Sequence, residues 1–151
     1  MTTTDERWIR EAVRLAAEAR QRGDEPFGAL LVHDDACVLE ARNAVHTDRD
    51  ITQHAELRLI SKAGMMVDPA VVSAATLYTS TEPCAMCAGA MYWADIPKMV
   101  FGLAANSLEE MTGGGGLHQP SRQVLGAASR SITIEGPVLE EEARRVHEGY
   151  W

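Results

Sequence analysis

Thr52-Gln53-His54-Ala55-Glu56, answered downstream by Glu82-Pro83-Cys84-Ala85-Met86-Cys87, is the pair of stretches that decides how this chain is read. Catalytic zinc takes three protein ligands and keeps its fourth tetrahedral position for a water. His54, Cys84 and Cys87 meet that count, one zinc per chain, and Glu56 stands beside them as a carboxylate that need not ligate. The metal lowers the pKa of water to about 7, so hydroxide is available at neutral pH. Glu56 is then placed to take a proton from the attacking water and return it to the product, base first and acid second. The spacing predicts two helices that present these groups from their first turns, one beginning near Thr52 and one at Cys84. Pro83 suits a helix start, because its missing N–H is one the first turn could not pair. A helix N-terminus also favours the two thiolates through its dipole.

Cys-x-x-Cys alone has duller readings, a thiol redox pair or half of a structural zinc site. A structural Cys₂His₂ centre needs a fourth ligand. The third cysteine, Cys37, lies in a strand-like run, where a small buried hydrophobe is expected, and no second histidine stands at a paired helical spacing. His-x-Glu followed by Pro-Cys-x-x-Cys is the known signature of zinc nucleobase deaminases, so the joint pattern carries the reading and neither half does.

Outward from the motifs, helices alternate with short apolar runs. Asp5 to Arg22 carries Trp8, Ile9, Ala12, Val13, Leu15, Ala16 and Ala19 at helical spacing, with Gly23 as a stop. Ala29 to His33 and Cys37 to Arg42 flank Asp34-Asp35, a hairpin signal. A helix is expected over Gln53 to Ala63, ended by Gly64, and strands over Thr76 to Ser80 and Met99 to Leu103 on either side of the cysteine helix, Cys84 to Ala94. Ser107 to Leu125, with Gly113-Gly114-Gly115-Gly116, reads as a flexible connection with a helical turn at its end. Ser131 to Ile134 reads as a strand and Leu139 to Tyr150 as a last helix.

At 151 residues the chain is expected to form one domain, 1–151, with an aromatic tail. Hydrophobic residues make up 46% with no membrane-length run, and Met1 to Arg10 has no signal-peptide core, so a cytoplasmic protein without membrane attachment is expected. Three cysteines, two of them assigned to metal, leave no disulfide framework. The net charge of −8 and the lack of a basic stripe favour a small substrate over nucleic acid.

Pro26-Phe27-Gly28-Ala29, Asn43, Tyr78-Thr79, Gly89-Ala90 and Met91-Tyr92-Trp93, added to the two motifs, make the chain resemble the cytidine deaminase-like superfamily over nearly its whole length, and within it the guanine deaminases and tRNA adenosine deaminases. The resemblance implies an α/β protein, a three-layer α/β/α fold with a five-stranded mixed sheet, and a homodimer. It implies a zinc-dependent hydrolytic deaminase of a free nucleobase (guanine-type purine, isoguanine, cytosine or amino-triazine), with a tRNA-specific adenosine deaminase as the alternative. A zinc-stabilised module without catalysis has no need of Glu56. By the same resemblance Phe27 stacks on the base, Trp93 lines the pocket, and Tyr150-Trp151 form a lid. Asn43 offers both a donor and an acceptor for the amide edge of a base. The N–H of Ala55 or Cys84 and the backbone carbonyl of Glu82 are further candidate contacts, while the Glu82 carboxylate has no role that the sequence shows. Guanine deaminases carry an acid after the connection; here His118 and Gln119 are the polar residues in its place.

Overall fold

The structure, a computed structural model, describes residues 3–117 and 119–151. His118, a candidate substrate contact, lies outside the described residues. Five strands form one sheet in the order β2-β1-β3-β4-β5. They are β1 (Gly28–His33), β2 (Ala36–Arg42), β3 (Thr76–Thr81), β4 (Lys98–Leu103) and β5 (Thr133–Glu135). β1 runs antiparallel to β2 and β3, whereas β3, β4 and β5 are parallel. Asp34 and Asp35 both adopt positive φ, 50° and 56°, which is the twist that a two-residue hairpin requires.

Successive side chains of a strand point to opposite faces, and here each face carries its own core. Ala29, Leu31, Leu77, Met99 and Phe101 pack with Leu59, Ile60 and Ala63 of α2 (Ala55–Met66) and with Ala88 and Met91 of α4 (Ala85–Trp93). Leu30, Val32, Tyr78 and Val100 pack on the other face with Trp8, Ile9, Ala12 and Leu15 of α1 (Thr3–Gln21). α7 (Glu140–Arg145) lies beside α1 and β4. The layers are therefore helix, sheet, helix, as the resemblance implied. Gly28 allows the closest approach: a Cβ there would sit 2.5 Å from the Ala12 carbonyl oxygen on α1.

Several boundaries differ from the sequence reading. Gly64 does not end the histidine helix, which runs on to Met66, because burial of Leu59, Ile60 and Ala63 outweighs a glycine cost of about 1 kcal/mol. The short α3 (Pro69–Val72), capped by Asp68 on the Ala70 N–H, follows it. The connection read as flexible holds α5 (Ala105–Thr112) and α6 (Ser121–Leu125). α5 ends at Gly113, and Gly113, Gly114 and Gly115 all adopt positive φ, a run that side chains would oppose. The last helix is shorter than read, ending at Arg145. Cys37 is exposed instead of buried, because β2 is an edge strand and its outward residues meet solvent.

Candidate active site

β3 ends at Thr81, and the next three residues, Glu82-Pro83-Cys84, turn the chain into α4. Ligand sites in α/β sheets gather at such carboxyl ends of strands. Cys84 is the N-cap of α4 and Cys87 lies in its first turn; His54 is the N-cap of α2 and Glu56 lies in its first turn. The two helix starts meet there, as the motif spacing required, although α2 begins at Ala55 and not near Thr52. His54 Nδ1 lies 3.6 Å from Cys84 Sγ and 3.7 Å from Cys87 Sγ. The three ligand atoms all fall within 4.8 Å of one another.

The protonation of this cluster fits a cation. Cys84 is pulled down to about 4, first by the Cys87 thiol that donates to it, then by His54 and the Cys87 backbone N–H. Cys87, beside that thiolate, buried and next to Glu56, is pushed far up. His54 is raised, first by its hydrogen bond with Cys84. One negative charge forms readily and the second is held back by the first, so a divalent cation between the sulfurs would relieve what keeps Cys87 protonated.

Glu56 is buried, and burial is the main cause that raises its carboxyl above the usual range. The Thr79 hydroxyl, on β3, donates to Glu56 Oε1 at 2.5 Å and fixes its orientation. A cavity of about 600 Å³ opens over this floor. Its walls include Phe27, Met86, Leu108, Gly114 to Leu117, and Trp151. That volume suits a small organic ligand.

The expected contacts divide. Phe27 and Trp151 line the cavity, with ring centroids 6.1 Å apart. Ala55, the first residue of α2, carries an N–H of the kind a helix start leaves unpaired. Trp93 does not line the pocket: it is 82% exposed, because it ends α4 on the side away from the helix start. Tyr150 stands outside the lining and packs edge-on against Trp151, with centroids 4.7 Å apart. Asn43 is 1% exposed and absent from the lining. Its Oδ1 accepts from the backbone N–H groups of Glu25 and Val45 at 3.3 and 3.0 Å, so the acceptor expected to meet a base is already taken.

Three residues gain roles that the sequence did not display. The Glu82 carboxylate accepts from Ala105 N at 2.9 Å with one oxygen, and from Ser121 N at 2.9 Å and Ser121 Oγ with the other. It thus ties the first residues of α5 and α6 to the motif loop, which holds that connection beside the cavity. His147 is buried, accepting from the Trp151 indole at Nδ1 over 3.1 Å and meeting Thr81 Oγ1 with Nε2 at 3.1 Å. Burial, with Arg20 nearby, lowers it to about 4. Glu25 lines the wall next to Phe27. An acid before Pro26-Phe27 was the signal available in the sequence.

Residues 2–103 match the family of the cytidine and deoxycytidylate deaminase zinc-binding region. The chain belongs to that family. It is 42% identical to a probable cytosine deaminase of Schizosaccharomyces pombe, over all of this chain and 94% of that protein. It is 45% identical to a guanine deaminase of Bacillus subtilis over 64% of this chain, and 37% identical to a tRNA-specific adenosine deaminase of the same organism over 66%; each match spans 62% of the bacterial protein. The guanine deaminase of Nitrosomonas europaea superimposes with a TM-score of 0.81 at 25% identity, covering 93% of this chain and 81% of that one. His54, Cys84 and Cys87 are the candidate ligands of this zinc-binding deaminase domain. Among the described residues, no helix is long and apolar enough to cross a membrane.

Proposed function

We propose that this member of the deaminase family hydrolyses a free nucleobase or related amino-heterocycle, releasing ammonia, with His54, Cys84 and Cys87 as zinc ligands and Glu56 as the acid and base. When bound, zinc supplies Lewis acidity that makes hydroxide available near neutral pH. The water oxygen bonds to the amidine carbon, the bond from that carbon to the amino group breaks, and a carbonyl and ammonia result. Glu56, aimed by Thr79, carries one proton of the water to the ring nitrogen and then, as the added hydroxyl becomes the carbonyl, carries the second to the departing amine. The Ala55 N–H and the Glu82 backbone carbonyl orient the reacting edge, while Phe27 and Trp151 hold the ring and keep water out.

The observation that carries the small-substrate reading is the lining itself: among the described residues it holds no lysine or arginine. A nucleotide substrate brings phosphates that basic groups usually neutralise. The tRNA adenosine deaminase relatives support the second reading, an adenosine in RNA. Ammonia release from a panel of free bases, nucleosides and a tRNA anticodon stem separates the two. The expected result is turnover of a free base by zinc-loaded protein; turnover of the anticodon with none from any base would replace the proposal by the second reading.

We also propose a single domain over 1–151 and a homodimer. Both cores lie on one sheet, which supports the first. Exposed Trp93, Met65, Met66 and Ile51 support the second, because large apolar side chains in water often mark an interface. Light scattering at working concentration tests it, and a monomer would remove it.

A further inference from the structure

We propose that Glu25 is a specificity-determining residue: its carboxylate accepts a hydrogen bond from the ring N–H of a free amino-heterocycle, and Asn43 sets its position. The inference rests on the deaminase reading above and deepens it to a substrate class, bases whose glycosidic nitrogen still carries its proton.

Glu25 and Asn43 form a reciprocal pair. The Glu25 backbone N–H donates to Asn43 Oδ1 at 3.3 Å, and Asn43 Nδ2 donates to Glu25 Oε1 at 3.2 Å. Asn43 is in turn fully enclosed and tied to the Val45 N–H and, through its own backbone N–H, to the Phe27 carbonyl at 3.0 Å. A half-buried side chain on the cavity wall is thus positioned from a rigid interior residue. Oε1 is committed to Asn43; Oε2 has no hydrogen-bond partner among the described residues.

Among the described residues, the other acidic and metal-binding groups around the cavity are already engaged. His54, Cys84 and Glu56 belong to the reaction centre, and both Glu82 oxygens are engaged by the starts of α5 and α6. Glu25 belongs to the wall of a largely apolar cavity whose lining, among the described residues, holds no lysine or arginine, and a carboxylate oxygen there is costly when a ligand displaces its water unless the ligand brings a donor. Phe27 stands two residues away, and its N–H donates to the Glu25 carbonyl at 2.8 Å. One tight turn therefore presents an aromatic face for a flat ring and an acceptor for its edge. The ring nitrogen that bears the sugar in a nucleoside carries a hydrogen only in the free base. Glycosylation removes the donor and adds bulk, and a phosphate adds repulsion from the same carboxylate.

The test is calorimetric binding to zinc-loaded Glu56→Gln protein, in which turnover is stopped, using cytosine against 1-methylcytosine and guanine against 9-methylguanine. At least one unmethylated base is expected to bind about 10- to 100-fold more tightly than its methylated partner, the range of a hydrogen bond to a charged group. Adding Glu25→Gln, which keeps an acceptor for Asn43 but loses the charge, is expected to remove most of that preference. Equal affinity for methylated and unmethylated bases, a preference that survives Glu25→Gln, or no binding of either free base would each overturn the role of Glu25. Ammonia assays on wild-type protein keep the two ideas apart: a Glu25-dependent preference without turnover of any base sinks the deaminase reading and leaves this one standing.

Discussion

The floor and the rim of the cavity are built differently. On the floor, His54, Glu56, Cys84 and Cys87 sit at two helix starts backed by β3, and the Glu56 carboxylate is oriented by a strand hydroxyl. The rim is made of loop and tail: Ile51, the glycine run, Leu117 and Trp151, with Ile51 and Leu117 about four-fifths exposed. Groups that must hold a metal and move a proton need positions good to about half an ångström, which short motifs on rigid elements supply. Groups that choose among flat heterocycles need shape and a few polar contacts, which loops can vary. The proposed chemistry thus resides in the floor, and the choice of substrate in the rim and in the Glu25–Phe27 turn of the wall.

The sharpest way to break this division is Glu56→Gln. Loss of general acid and base catalysis is expected to lower kcat by about 10²- to 10⁴-fold while zinc stoichiometry is retained. Metal analysis alongside ammonia release checks both halves. Zinc lost together with activity would make Glu56 part of the metal site instead.

Next in size is the tie between floor and rim. Glu82→Ala removes the acceptor for two backbone N–H groups and a hydroxyl, and charge-assisted bonds of this kind contribute about 1.5–3 kcal/mol each. A stability loss of about 4–5 kcal/mol, the lower end of that sum, is expected in chemical denaturation, together with a raised KM. A loss confined to stability would show that α5 and α6 do not shape the cavity.

His147 gives a pH test of how the tail is held. Its folded value, about 4, lies below the ordinary 6.5, so between those values the unfolded chain binds a proton that the folded chain refuses. Its contribution to stability is present above pH 6.5 and is lost as pH falls toward 4, by about 3 kcal/mol in all. Melting curves across this window should fall less steeply for His147→Gln than for the wild type. Parallel curves would mean that the imidazole is not held neutral. The smallest effect is expected at Trp151→Ala, a several-fold rise in KM for a small base with zinc and fold intact, read from steady-state kinetics; an unchanged KM would take Trp151 out of substrate binding.

Legibility followed the same division. The placement of His54, Cys84, Cys87 and Glu56 together is legible in the sequence because it is local: an N-cap and a first turn fix where side chains point, so two short motifs place four groups. Phe27 was readable by resemblance, and the structure puts it on the wall. Trp93 falls outside the cavity because it ends α4, away from the helix start, and Asn43 turns its acceptor to the backbone N–H groups of Glu25 and Val45, which no local pattern announces. α5 is not legible in the sequence because its N-terminus lacks a local side-chain cap. Its first residues are held by Glu82 and by Glu140, which accepts from Ala104 N at 3.0 Å, and both lie far away in sequence.

What the sequence by itself determined is the alternation of elements, the two faces of the sheet and the pairing of motifs, since hydrophobic period and cap chemistry act within a few residues. Tertiary structure decided which carboxylates are spent on backbone and which face the cavity, and which aromatics reach it. Those outcomes depend on partners brought together across β3, α5, α6 and the tail, and no local pattern in the chain records such a meeting.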